Sequence, residues 1–61
     1  MYCIKKVRET RGMSQKELAQ AVGVSRPFLC DLEKNRRGAK LETLTRIANA
    51  LGVSVSDLEV A

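Results

Sequence analysis

The chain has no histidine and no tryptophan, and only two cysteines and one proline in 61 residues. Each scarcity removes a class of function. With Cys3 and Cys30 as the only soft ligands, a tetrahedral zinc site cannot be assembled from its usual donors. A nucleophile–histidine–carboxylate constellation is equally out of reach, so an enzyme is not expected. Neither a metal nor a cofactor is expected. Two cysteines allow one bridge at most, whereas small secreted scaffolds are dense in disulfides. Free thiols in a reducing cytoplasm are the expectation. No apolar run approaches the ~20 residues of a membrane span, and Met1–Lys6 does not read as a signal peptide. The only aromatic residues are Tyr2 and Phe28, so a core must be aliphatic.

What is present is the composition of a folded chain, 44% apolar and 30% charged. Its length fits one small domain over 1–61, without room for a separate catalytic or regulatory module. Stability on the order of 3–9 kcal/mol is expected at this size. The net charge of +4 is unevenly spread. Residues 1–40 carry ten Lys or Arg against Glu9, Glu17, Asp31 and Glu33, a net of +6. Residues 41–61 carry Arg46 against Glu42, Asp57 and Glu59, a net of −2. A basic part joined to a mildly acidic part suits a polyanion-binding face, although a solvated surface with chance asymmetry gives the same count.

Leu44, Ile47, Ala48 and Leu51 fall at i, i+3, i+4 and i+7, the stripe of an amphipathic helix. Shorter stripes start at Ile4 and Val7, at Leu18, Ala19 and Val22, and at Leu29 and Leu32. The punctuation agrees. Ser14 and Glu17 have the spacing of a capping box, and Ser54 with Asp57 repeats it. Ser25 can cap a helix whose first turn holds Pro27, where a missing N–H costs little. Gly12, Gly23 and Gly52 follow the stripes, and Asn35 tolerates the left-handed conformation that closes a helix. An all-α fold of five short helices is predicted, at about 2–11, 15–22, 26–34, 41–51 and 55–59. The longest irregular piece, Asn35–Lys40, is basic.

Helices two and three are joined only by Gly23-Val24-Ser25, which forces a sharp crossing. Ala19 is small enough for close approach, and Leu29 and Leu32 point back under the joint. The run Ser14-Gln15-x-x-Leu18-Ala19-x-x-Val22-Gly23-Val24-Ser25 is followed by Leu32-Glu33. Leu41-Glu42-Thr43-Leu44-x-x-Ile47-Ala48-x-Ala50-Leu51-Gly52-Val53 comes next. Taken in order, these features resemble the lambda-repressor-like helix-turn-helix family of Cro/Xre type, over roughly residues 4–58. The resemblance implies a compact five-helix domain whose third helix enters the DNA major groove.

At about 100° per residue, Leu29 and Leu32 point to the core and Arg26, Pro27, Cys30, Asp31 and Lys34 share the opposite arc. Arg26, at the helix N-terminus, is the strongest candidate base reader, because a guanidinium can grip guanine O6 and N7 together. Asp31 carries the wrong sign for DNA. It can accept from a cytosine N4, orient Arg26 or Lys34, or be a plain surface acid. Pro27 and Cys30 offer only small apolar contact, so a short or degenerate recognition code is expected. Cys30 shows no signal of redox reactivity.

The family places a glutamine where Gln15 stands, to contact a phosphate and brace the reading side chains. By the same analogy Phe28 lies against the sugar-phosphate backbone, with partial core packing the alternative. Lys16, Ser25, Lys34, Arg36, Arg37 and Lys40 complete the expected phosphate contacts, which add affinity but no sequence information. Arg8 and Glu33, as the resemblance implies, form a partly buried ion pair between helices one and three. The loop departs from the family pattern twice. Asn35 replaces a common Gly, and Gly38-Ala39-Lys40 lacks the usual cap before helix four.

These features imply a sequence-specific double-stranded DNA-binding transcriptional regulator, a repressor by expectation, in a bacterial, archaeal or phage setting. One reading helix buries little surface, so a homodimer on a pseudo-palindromic operator is expected. Val53, Val55, Leu58 and Val60 are the candidate dimer surface. Two alternatives stand beside this reading: an antitoxin or similar module with a protein partner, and a nonspecific nucleic-acid binder. Neither a membrane nor a small molecule is an expected partner.

Overall fold

Serine hydroxyls start the two central helices. In α2 (Gln15–Val22) the Glu17 amide donates to Ser14 Oγ and the Ser14 amide donates to Glu17 Oε1, both at 3.0 Å, completing the capping box. In α3 (Arg26–Glu33) the Phe28 amide donates to Ser25 Oγ at 3.2 Å, and Pro27 occupies the first turn. The computed structural model describes residues 1–59. It adds α1 (Ile4–Thr10) before this pair and α4 (Leu41–Leu51) after it. A single 3-10 turn, Val55–Leu58, follows α4.

Two boundaries differ from the sequence reading. The first helix begins at Ile4, because Tyr2 is extended and pairs antiparallel with Glu59. The expected fifth helix is a 3-10 turn. Asp57 accepts from the Ser54 amide at 3.0 Å and its hydroxyl at 2.9 Å, which closes a short turn. Glu59 then leaves in an extended conformation to meet Tyr2, so the turn ends at Leu58. Among the described residues the architecture is therefore four α-helices and one 3-10 turn, with no strand longer than an isolated bridge. No helix among them is long and apolar enough to cross a membrane.

The core is aliphatic throughout. Ile4, Leu18, Leu29, Leu32, Ile47 and Leu58 are wholly buried, each contributing about 1.5–3 kcal/mol of transfer free energy. Packing α2 against both α3 and α4 sets the joint. Ala19 is buried there, and its carbonyl accepts from the Gly23 and Val24 amides at 2.9 and 3.1 Å. Gly23 sits at φ 84°, where no side chain is comfortable, so the chain can reverse within three residues. The outer arc of α3 is thereby turned away from the core.

Glu17 and Asp57 are both held below the ordinary carboxylate range, chiefly by the Ser14 and Ser54 backbone amides that donate to them. A carboxylate depressed in the folded state stabilises it above the unfolded pKa and loses that contribution as pH falls through the folded value. The urea midpoint should hold near neutrality and decline below about pH 4. A Glu17→Gln, Asp57→Asn double variant should show a shallower acid decline, and an unchanged acid profile would contradict the assignment.

Candidate nucleic-acid interface

Glu33, at the C-terminal end of α3, holds an enclosed charge. Its side chain is 3% exposed, and Arg8 Nε of α1 donates to Oε2 at 2.7 Å. Arg8 Nη2 donates to Oε1 at 3.2 Å, and Arg8 Nη1 to the Met13 carbonyl at 2.8 Å. The arginine is thus bidentate on one partner and anchored to a second. The hydrogen bond to Glu33 holds its guanidinium above the ordinary value, outweighing the opposing effect of burial. The ion pair implied by the resemblance is present.

The same carboxylate reaches α2. Gln15 Nε2 donates to Glu33 Oε1 at 3.1 Å, and Arg26 Nε donates to Gln15 Oε1 at 3.2 Å. The chemistry leaves one orientation of the amide. An ionised carboxylate only accepts and a guanidinium only donates, so Gln15 must turn its NH2 to Glu33 and its carbonyl to Arg26. Arg26 is therefore held through Nε, with its two terminal nitrogens unengaged among the described residues. They are the pair needed to grip a guanine edge.

The rest of the outer arc lies where the helical period puts it. Arg26, Pro27 and Lys34 are exposed, while Cys30 and Asp31 are half-buried. Asp31 pairs with neither Arg26 nor Lys34, and it is Gln15 that holds Arg26. Arg26, Cys30, Lys34 and Lys5 border an open cleft of about 300 Å³ over the Arg8–Glu33 pair. Lys5 was not among the expected residues, and its signal is its place three residues before Arg8 on α1.

Past α3, the Arg37 guanidinium lies 4.2 Å from the Phe28 ring centroid, in cation–π contact. Phe28 is half-buried, packing on the core with one part and supporting Arg37 with the other. Arg36 and Lys40 are exposed, Lys40 at the start of α4 without a side-chain cap. Lys16 is exposed on the first turn of α2, and Ser25 is occupied as the α3 cap. The structure thus brings Gln15, Arg26, Cys30, Lys34 and the 36–40 loop to neighbouring positions around α3.

The expected dimer surface is corrected in part. Leu58 is wholly buried in the core and cannot face a partner. Val53 and Val55 are half-buried against the same core, and Val60 lies outside the described residues. An apolar residue in a short 3-10 turn has no helical period to show which way it points. Cys3 and Cys30 are free thiols.

Removing Arg8 leaves the Glu33 carboxylate enclosed without its cation. Arg8→Ala should cost about 3–5 kcal/mol in urea unfolding, a large fraction of the stability of so small a domain. A melting temperature equal to that of the parent chain would refute the pairing as a structural element.

Residues 4–58 match the family model described as helix-turn-helix. The chain is 40% identical over 55 residues to the HTH-type transcriptional regulator DdrOP3 of Deinococcus deserti, covering 90% of this chain and 43% of that protein. It is 42% identical over 53 residues to the immunity repressor of Bacillus phage phi105, covering 87% and 37%. The chain therefore spans about two-fifths of the length of these relatives. Among solved structures, the biofilm master regulator SinR in complex with DNA superposes with a TM-score of 0.81 at 33% identity, covering 87% of this chain and 86% of that one. The capped α2–α3 joint, the core and these similarities agree: the chain belongs to the helix-turn-helix family, of the Cro/Xre type expected from its motifs.

Proposed function

We propose that the chain is a sequence-specific, double-stranded DNA-binding module of a cytoplasmic transcriptional regulator, acting as a repressor. One observation carries the reading. Arg26 is held at the start of α3 by Gln15 through Nε, with its terminal nitrogens unengaged among the described residues and cations on the flanking elements. Phosphates attract such a surface, and a positioned guanidinium discriminates bases within it. Related proteins named as a phage immunity repressor and as a regulator in complex with DNA support the direction.

In this reading α3 enters the major groove. Pro27 and Cys30 meet base edges by apolar contact, and Asp31 accepts from a cytosine amine. Gln15, Lys16, Ser25, Phe28, Lys34, Arg36, Arg37 and Lys40 meet the backbone on either side. A homodimer presents two such helices to half-sites about 34 Å apart. Pairing uses the Val53–Val55 region, without Leu58.

Selection of bound sites from a random duplex library tests the proposal as a whole. Enrichment of a pseudo-palindrome supports specificity and pairing together, whereas no enrichment overturns sequence-specific binding. Within an enriched site, Arg26→Ala should relax preference at one base pair and cost about 1–3 kcal/mol. Arg36→Ala should instead weaken all duplexes alike and reduce the salt slope by about 1, read by fluorescence anisotropy across ionic strength.

A further inference from the structure

All four helices end the same way, with one residue in the left-handed region: Gly12, Asn35 and Gly52 at φ 72°, 57° and 72°, and Gly23 at 84°. At the end of α3 the Asn35 amide donates to the Leu32 carbonyl at 3.0 Å and the Arg36 amide to the Asp31 carbonyl at 2.9 Å. This is the paired-bond closure that glycine ordinarily serves. Glycine serves it at the ends of α1 and α4, and glycine also takes the left-handed position after α2. Asparagine is used only where the helix runs into the basic loop, and a left-handed asparagine carries more strain than glycine.

The side chain supplies a reason. Tyr2 N donates to Asn35 Oδ1 at 2.6 Å, and Asn35 Nδ2 donates to the Tyr2 carbonyl at 3.1 Å. Both backbone groups of one extended residue are thus engaged by one side chain 33 positions away. Tyr2 is itself fastened from the other side. It bridges to Glu59, and the neighbouring Cys3 amide donates to the Leu58 carbonyl at 2.8 Å. Leu58 is wholly buried, so this tie ends in the core. Tyr2, Asn35, Arg36 and Arg37 border one open cleft of about 570 Å³. The loop therefore has two supports, the Asn35–Tyr2 clamp at its entry and the Arg37–Phe28 stack two residues later.

We propose that Asn35 is a positioning residue for duplex binding, fastening the exit of α3 to the Tyr2 segment and so fixing where Arg36 and Arg37 meet the phosphates. The proposal rests on the DNA-binding reading above. Without the clamp the left-handed turn still forms, but the loop pivots on it and the two arginines spend less time over the backbone.

Asn35→Gly separates the two duties, because glycine adopts φ 57° freely and lacks the amide. The full chain and this variant are compared by thermal melting, by tryptic cleavage after Arg36 and Arg37, and by duplex binding across ionic strength. The variant should melt within a few degrees of the parent, be cleaved faster in the loop, and bind every duplex about three- to tenfold more weakly with a shallower salt slope. Asn35→Ala should bind as weakly and also melt earlier. Parental cleavage, affinity and slope in Asn35→Gly would overturn the proposal and leave Asn35 as a helix terminator. A parent chain that binds no duplex would overturn the functional reading and the role of Asn35 in binding with it, while the cleavage rates would still report the clamp.

Discussion

The Arg8–Glu33 pair is the contact on which both the fold and the proposed interface depend. A carboxylate enclosed to this degree needs a cation and further donors, or it destabilises the chain that holds it. Here Arg8 supplies the cation from α1 and Gln15 supplies an added donor from α2. One acceptor group therefore ties three helices together. It also dictates which way the Gln15 amide faces, and so which atom of Arg26 is occupied. The link from core to Arg26 has three hydrogen-bonded steps, each forced by what its groups can donate or accept.

Around that pair the domain uses short means. Its core holds no aromatic residue that is wholly buried, and aliphatic side chains from four helices and one turn close it. Helices of 7 to 11 residues are too short to persist alone in water, so packing and caps must hold them. The reversal at Gly23 makes α3 rest on its neighbours by Leu29 and Leu32 while its opposite arc stays open. The uneven charge of the chain then has a place. The cations gather along α1, around α3 and in the loop after it, while the acidic end builds the 3-10 turn that anchors Tyr2.

Most of the helical frame was legible in the sequence, because its signals are local. Ser14 with Glu17, Ser25 with Pro27, and the i, i+3, i+4 stripe of α4 mark boundaries within a few residues of the features they govern. The outer arc of α3 followed from the period of Leu29 and Leu32 alone. The Arg8–Glu33 pair came from resemblance to a family, since partners 25 residues apart leave no periodic trace. What escaped was long-range or short-lived in sequence. The hold of Gln15 on Glu33, the stack of Arg37 on Phe28 and the clamp of Asn35 on Tyr2 join segments that only tertiary packing brings together. The last turn misled for the opposite reason. Four residues cannot display a period, so Leu58 read as surface although it fills the core.

In the proposed function, the Arg8–Glu33 pair aims Arg26 at DNA through Gln15. This coupling is tested most directly by following backbone amide and arginine Nε resonances while a duplex carrying the selected site is added to the labelled chain. The largest shifts should fall on Gln15, on Arg26 through Lys34 and on the 36–40 loop, with the Arg26 Nε proton protected from exchange and the resonances of α4 nearly still. Shifts concentrated on α4 and the Val53–Val55 region, with Arg26 unmoved at saturation, would contradict it.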